Sequence, residues 1–148
     1  MAENRVDLVS AAEEARLSRD IMVWINGWSG IPATIERINF EQLEADKPSM
    51  ALSTIQGAYI IRRYITGGHM GEYQYKLIYR IKPATSNDAR LKADEVLNDF
   101  GAWAEANPPV IGNGNTKMVA TSRAGLFAAY DNGDEDHQIL MKLTYEVI

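Results

Sequence analysis

The sequence predicts an α+β fold: a mostly antiparallel β-sheet packed with two main α-helices, in a single domain spanning residues 1–148. Three observations predict it. Residues 73–82 and 138–147 alternate apolar with polar side chains, the period of a half-buried strand. Two other stretches repeat apolar residues at intervals of three and four, the period of one helix face. The order along the chain is helix, several strands, helix, several strands, which suits a sheet covered by helices. The length of 148 residues matches one ordinary domain, and a chain of this size buries roughly 70% of the surface its unfolded form exposes.

The first helix is predicted between about Asp7 and Trp28, where Leu17, Ile21, Trp24, Ile25 and Trp28 form one stripe and Glu13, Glu14, Arg16, Arg19 and Asp20 are left for water. Asn26-Gly27 should end it, with Gly27 in a left-handed capping conformation, and Gly30 and Pro32 prevent resumption. Ile35, Ile38, Phe40 and Leu43 suggest a strand, with a turn at Asp46-Lys47-Pro48-Ser49 and a short strand over residues 50–55. Residues 58–66 are β-rich through Tyr59, Ile60, Ile61, Tyr64 and Ile65. Gly67-Gly68-His69-Met70-Gly71 then reads as a flexible hairpin loop leading to the strand of Tyr73, Tyr75, Leu77, Tyr79 and Ile81.

Pro83 closes that strand and Ser86 is placed to cap a second helix. Ala89, Ala93, Val96, Leu97, Phe100, Trp103 and Ala104 stripe one side of it before Asn107-Pro108-Pro109 ends it. Gly112-Asn113-Gly114-Asn115 reads as a mobile connection to short strands at residues 118–121 and 126–130. Asp131-Asn132-Gly133 is a turn. Ile139, Met141, Leu143, Tyr145 and Val147 then alternate with polar neighbours in a closing strand.

Composition narrows the possible functions. The chain has 46% apolar and 24% charged residues, an ordinary globular balance. A net charge of -5 provides no overall field for holding nucleic acid, so a DNA-binding regulator is disfavoured. With no cysteine there are no disulfides, no thiolate nucleophile and no Cys-ligated zinc. The Met1-Ala2-Glu3-Asn4 start and the absence of a run of about 20 apolar residues lead us to expect neither export nor a membrane.

The residues that could carry chemistry complete no catalytic or metal-binding motif. His69 and His137 stand alone, without a second ligand type at metal-binding spacing, and read as exposed loop histidines. Gly27-Trp28-Ser29-Gly30 lacks the second glycine of a nucleophile elbow, because Ile31 occupies its position. In Gly112-Asn113-Gly114-Asn115-Thr116-Lys117 the glycine spacing is wrong for a phosphate loop, and Met118 replaces the required Ser or Thr. Asp131, Asp134, Glu135 and Asp136 do not fit a calcium loop and read as a solvated hairpin tip. No cofactor and no metal is expected. Trp24, Trp28 and Trp103 leave open a tryptophan-lined pocket in a small-ligand-binding protein or enzyme, with core packing as the plainer reading.

The run Tyr64-Ile65-Thr66-Gly67-Gly68 followed by Glu72-Tyr73-Gln74-Tyr75-Lys76-Leu77-Ile78-Tyr79-Arg80 resembles the central hairpin of tailed-bacteriophage minor capsid proteins of the tail-terminator type. An amphipathic helix over residues 87–106 and closing strands around Tyr130-Asp131-Asn132-Gly133 continue the likeness, which covers roughly residues 55–148. The resemblance implies a non-enzymatic virion protein of the tail or neck, present in the host cytoplasm during assembly. It implies a hexameric ring on the head-proximal end of the tail tube, touching the tail-tube protein and the head-completion or connector protein. A related neck or tail-tube protein is the neighbouring alternative. An acetyltransferase H-x-x-x-D motif is absent, since Tyr73 and Met141 stand four residues after the two histidines.

In such an assembly the expected partner surfaces are the loop of Gly67, Gly68, His69, Met70 and Gly71, and the loop carrying Asn113 and Asn115. Arg62, Arg63, Arg80 and Lys82, together with Lys76, gather basic charge that the acids Asp134, Glu135 and Asp136 of a neighbour would meet. DNA contact is expected to be transient and non-specific, during passage through the ring, because neither helix presents a base-reading set of side chains.

Overall fold

A computed structural model describes residues 7–83 and 86–148; the Met1-Ala2-Glu3-Asn4 start lies outside the described residues. Helix α1 spans Ala11–Ile25, with Ser10 as its N-cap accepting a bond from the Glu13 amide at 3.1 Å, and it buries Leu17, Ile21 and Ile25. It ends differently from expectation. Asn26 keeps a right-handed backbone, and its side chain donates to the carbonyls of Met22 and Ile38 while accepting from the Ile38 amide at 2.8 Å. A side chain able to satisfy both a helix terminus and a strand replaces the left-handed glycine cap.

Strands β1 (Ile38–Phe40) and β2 (Ser49–Thr54) form the one parallel pair among the described residues. The remaining strands are β3 (Tyr59–Arg63), β4 (His69–Ile81), β5 (Lys117–Ala120), β6 (Gly125–Ala129) and β7 (Glu135–Val147), all in antiparallel pairs. The order is β1-β2-β4-β7-β5, with β3 also on β4 and β6 also on β7. The fold is therefore α+β with a mostly antiparallel sheet, as the alternation predicts. Helix α2 spans Asn87–Ala106, and the Ser86 side chain accepts from the Ala89 amide.

The sheet is built around β4 and β7, which pair from His69↔Val147 to Ile81↔Glu135. Tyr73, Tyr75, Leu77 and Tyr79 from β4 and Ile139, Met141, Leu143 and Tyr145 from β7 are buried on one face. They share a single core with Leu17, Ile21 and Ile25 of α1 and with Ala93, Leu97, Phe100 and Ala104 of α2. Each fully buried side chain of this size contributes roughly 1.5–3 kcal/mol, so this face outweighs any surface ion pair in fixing the register. Trp24 and Trp103 stack at 4.9 Å between centroids, and Trp28 meets Phe100 edge-on at 5.3 Å.

Strand β4 begins four residues earlier than the alternation suggested, which places His69, Met70 and Gly71 in the sheet. Of Gly67, Gly68 and Gly71, only Gly67, at φ +102°, needs the conformational freedom of a turn. Gly68 lies against the Val147 carbonyl and Gly71 against the Tyr145 ring, so a β-carbon at either would collide. These two glycines permit close approach and do not supply loop flexibility. Among the described residues, no helix is long and apolar enough to cross a membrane.

Candidate assembly surface

The β4–β7 ladder has two chemically different ends. At the first, the turn at residues 64–68 and the loop at residues 112–115 converge on one carboxylate. Glu146 accepts from the Tyr64 hydroxyl on one oxygen, and from the side-chain amides of Asn113 and Asn115 on the other, at 2.7 and 3.3 Å. The Tyr64 hydroxyl, followed by the two asparagines, holds the Glu146 carboxyl below its ordinary range, and the same bond pushes the Tyr64 phenol up. Gly112 at φ +62° and Gly114 at φ +84° let the second loop fold over the strand end, and Asn115 donates its amide to the Asn113 side chain. The loop expected to be a mobile connection is thus tied to β7.

Apolar side chains stand in water around this anchor. Ile65 is fully exposed at the tip of the turn, Ile148 lies beside Gly68, and Val110 beside Gly114. Of the residues expected on the first loop, Gly67 is at this surface. Gly68 and Gly71 are buried, and Met70 is half-buried. His69 is a correction to the exposed-loop reading: the strand register turns its ring toward α1, where Nε2 lies 2.8 Å from Glu13 Oε2, which also accepts from the Tyr145 hydroxyl at 2.6 Å.

The second end overturns the picture of a solvated acidic tip. Asp134 and Asp136 are each 2% exposed and Glu135 is also buried. Arg80 lies opposite Asp136 and binds both its oxygens, at 2.7 and 2.9 Å, while the Tyr130 hydroxyl donates to Asp136 Oδ2 at 2.8 Å. Arg90 binds Glu135 at 3.0 Å, which holds the Glu135 carboxyl below its usual range. His137 is buried too, with Nδ1 2.7 Å from Asp94 and Nε2 3.3 Å from Glu135. Lys82 reaches Asp46 at 2.8 Å, and Asp134 accepts from the Asp46 amide at 3.1 Å. Buried charges need partners, and for Asp136 and Glu135 the chain itself supplies them, Arg80 across the β4–β7 ladder and Arg90 from α2, while Lys82 stays partly exposed beside Asp46. Arg63 likewise meets Asp7. Arg62 is exposed.

The tryptophans pack on one another and on Phe100, and Trp24 Nε1 donates to the Asn107 carbonyl at 2.8 Å. Two concavities lie elsewhere. One, of about 430 Å³, is lined mostly by polar residues between Thr34 and Ser49, with Ile35 and Pro48 among them; the other, of about 360 Å³, lies between α2 and the chain around β5, and neither includes a tryptophan. No group of three or more acidic or histidine side chains could hold a metal among the described residues.

Sequence reasoning missed Glu146, Glu13 and Asp94 as organising groups, because each looks like an ordinary solvent-facing acid and its partners lie 31 or more residues away. Ile65 carried a usable signal, an apolar residue beside the turn glycines. No protein-family model matches the chain, and no curated protein matches it either.

Proposed function

We propose that this chain is a non-catalytic virion protein of the tail-terminator type, one subunit of a hexameric ring that caps the head-proximal end of a phage tail tube and joins it to the head connector. The observation that carries the reading is the end of the ladder organised by Glu146. There two loops are fixed on one carboxylate, and Ile65, Val110 and Ile148 are held out in solvent. Exposed apolar groups on an ordered platform suit a protein contact, because little ordering cost remains to be met on docking. The resemblance of the Tyr64-to-Arg80 hairpin supplies the identity of the partners: a tail-tube protein, a head-completion protein and further copies of the chain.

A closed ring satisfies every head-to-tail contact, which a single small subunit on a tube end cannot do. The net charge of -5 suits a conduit through which DNA passes without being held. Assembly would place the protein in the host cytoplasm before it enters the virion.

The test uses isolated tails lacking this protein, supplemented with the purified chain and assayed for head joining. Ile65→Asp combined with Val110→Asp should leave the melting temperature close to that of the parent and abolish joining. Full joining by the double variant would refute the platform, and random attachment of single subunits to tails, seen by electron microscopy, would refute ring closure.

A further inference from the structure

Helix α2 and the chain between β5 and β6 are joined at two points and stand apart between them. Asn98, Gly101, Ala102 and Glu105 follow the three, four, seven spacing of one helix face. Glu105 Oε2 accepts from the Ala120 amide at 3.0 Å, and two turns earlier Asn98 Oδ1 accepts from the Ala124 amide at 2.9 Å. Between these two struts the helix carries only the small residues Gly101 and Ala102. Ile139 lies directly beneath Gly101, 2.8 Å from where a β-carbon there would stand. What remains is the cleft of about 360 Å³, a size within the range of about 300–1,000 Å³ typical of small-molecule sites.

The two ends of the cleft have opposite chemistry. At the Asn98 end the free groups are donors. The Asn98 side-chain nitrogen has no bond among the described residues, and Arg123 is exposed with no ion pair among them. Ser122 Oγ accepts from the Leu140 amide at 3.0 Å and so keeps its own hydrogen to donate. At the other end Glu105 holds Ala120 with one carboxylate oxygen and leaves Oε1 as an acceptor.

We propose that this cleft binds a short peptide with both termini free, a zwitterion of dipeptide length, its carboxylate at Arg123, Ser122 and Asn98 and its ammonium at Glu105. Length and charge together select the class. Asn98 and Glu105 are separated by about 10.5 Å along the helix axis, at 1.5 Å per residue. Two extended residues span about 7 Å, and a hydrogen bond of about 2.8 Å at each end covers the remainder. A free amino acid is one residue shorter and meets one end at a time, while a dicarboxylate would set a second anion against Glu105. The middle of the ligand crosses Gly101 and Ala102, where the helix leaves room for a backbone, so the cleft recognises the termini and not the side chains. It shares no residue with the platform at Glu146, and loss of peptide binding is therefore separable from loss of head joining.

Titration of the full chain with L-alanyl-L-alanine, followed by backbone amide chemical shifts, tests the assignment. The shifts should gather at Ala102, Ser122 and Arg123 and saturate with a Kd of about 1 mM or tighter. The N-acetyl and C-amide forms of the same dipeptide each remove one charge and should bind about tenfold more weakly or worse. Arg123→Gln should weaken the free dipeptide about tenfold and leave the C-amide form unaffected. Ala102→Trp, on the exposed side of α2, should fill the cleft and abolish binding, with circular dichroism confirming that both variants are folded. Absence of saturable shifts up to about 10 mM would overturn the proposal. Equal affinity for the free and blocked dipeptides, equal affinity for alanine and alanyl-alanine, or undiminished binding by folded A102W would overturn it as well.

Discussion

Arg80 and Asp136 sit directly opposite one another on β4 and β7, and the guanidinium meets the two carboxylate oxygens at 2.7 and 2.9 Å. The carboxylate is buried and also accepts from Tyr130, whose ring lies 4.9 Å from the guanidinium carbon. Removing one partner of such a pair leaves a desolvated charge, so Asp136→Asn should cost about 3 kcal/mol in urea unfolding. Arg62→Glu, on an exposed edge, should stay within about 0.5 kcal/mol. Equal costs for the two would mean that the Arg80 pair is not structural.

Gly71 marks a second point where the fold is intolerant. A β-carbon there would strike the Tyr145 ring, whose hydroxyl holds Glu13 and, through it, His69. Gly71→Ala should destabilise by about 1–3 kcal/mol, as overpacking does. Gly125 has nothing within 4 Å of its β-carbon position and no positive φ, so Gly125→Ala should be neutral or stabilise by about 0.4–1 kcal/mol through the unfolded chain. Thermal unfolding of the two variants side by side decides it.

Periodicity made the core legible. The alternation of Tyr73 to Ile81 and of Ile139 to Tyr145, and the stripe from Ala93 to Ala104, reappear as the buried faces of β4, β7 and α2. What periodicity could not supply was pairing across the chain. Asp134, Glu135 and Asp136 look like a surface turn until the register sets Arg80 opposite Asp136, and Gly68 and Gly71 look like a loop until Val147 and Tyr145 are seen against them. The same limit hid the convergence of residues 64–68 and 112–115, because Glu146 is linked to Tyr64 over 82 positions. Local sequence records which side of a strand is apolar and leaves unrecorded which charge stands beside which.

Buried phenols give an alkaline prediction. Burial pushes the Tyr73 hydroxyl up to about 12, and burial also raises Tyr75 and Tyr145, the last reinforced by Glu13. A group whose folded pKa is raised contributes stability that is fully present below the unfolded value of about 10 and is lost as pH climbs through the folded value. Between about pH 10 and 12 the protein should therefore lose stability. Absorbance at the phenolate band should show these three tyrosines ionising together with loss of the far-ultraviolet helix signal. Ionisation of all seven tyrosines with the fold intact would contradict their burial.

The acid limb has the opposite sign and reports on the proposed docking end. Tyr64, Asn113 and Asn115 hold the Glu146 carboxyl below its ordinary range, so the stabilisation it brings is fully present above the unfolded value of about 4.3 and is lost as pH falls through the lowered folded value. Protonation removes the charge that all three donors share. The amides of Gly67, bonded to the Tyr64 carbonyl, and of Asn115, bonded to the Asn113 side chain, lie on different loops and report on the two sides of this anchor. Their hydrogen-exchange protection should fall together in that acid window while the amides of Leu77 and Ile139 in the paired strands stay protected. Glu146→Gln, which keeps the side chain's size but offers one acceptor oxygen in place of two, should loosen both loops at neutral pH and lower head joining in the tail assay. If only one loop loosens, the carboxylate is not a shared anchor, and the platform made by Ile65, Val110 and Ile148 is not held by it.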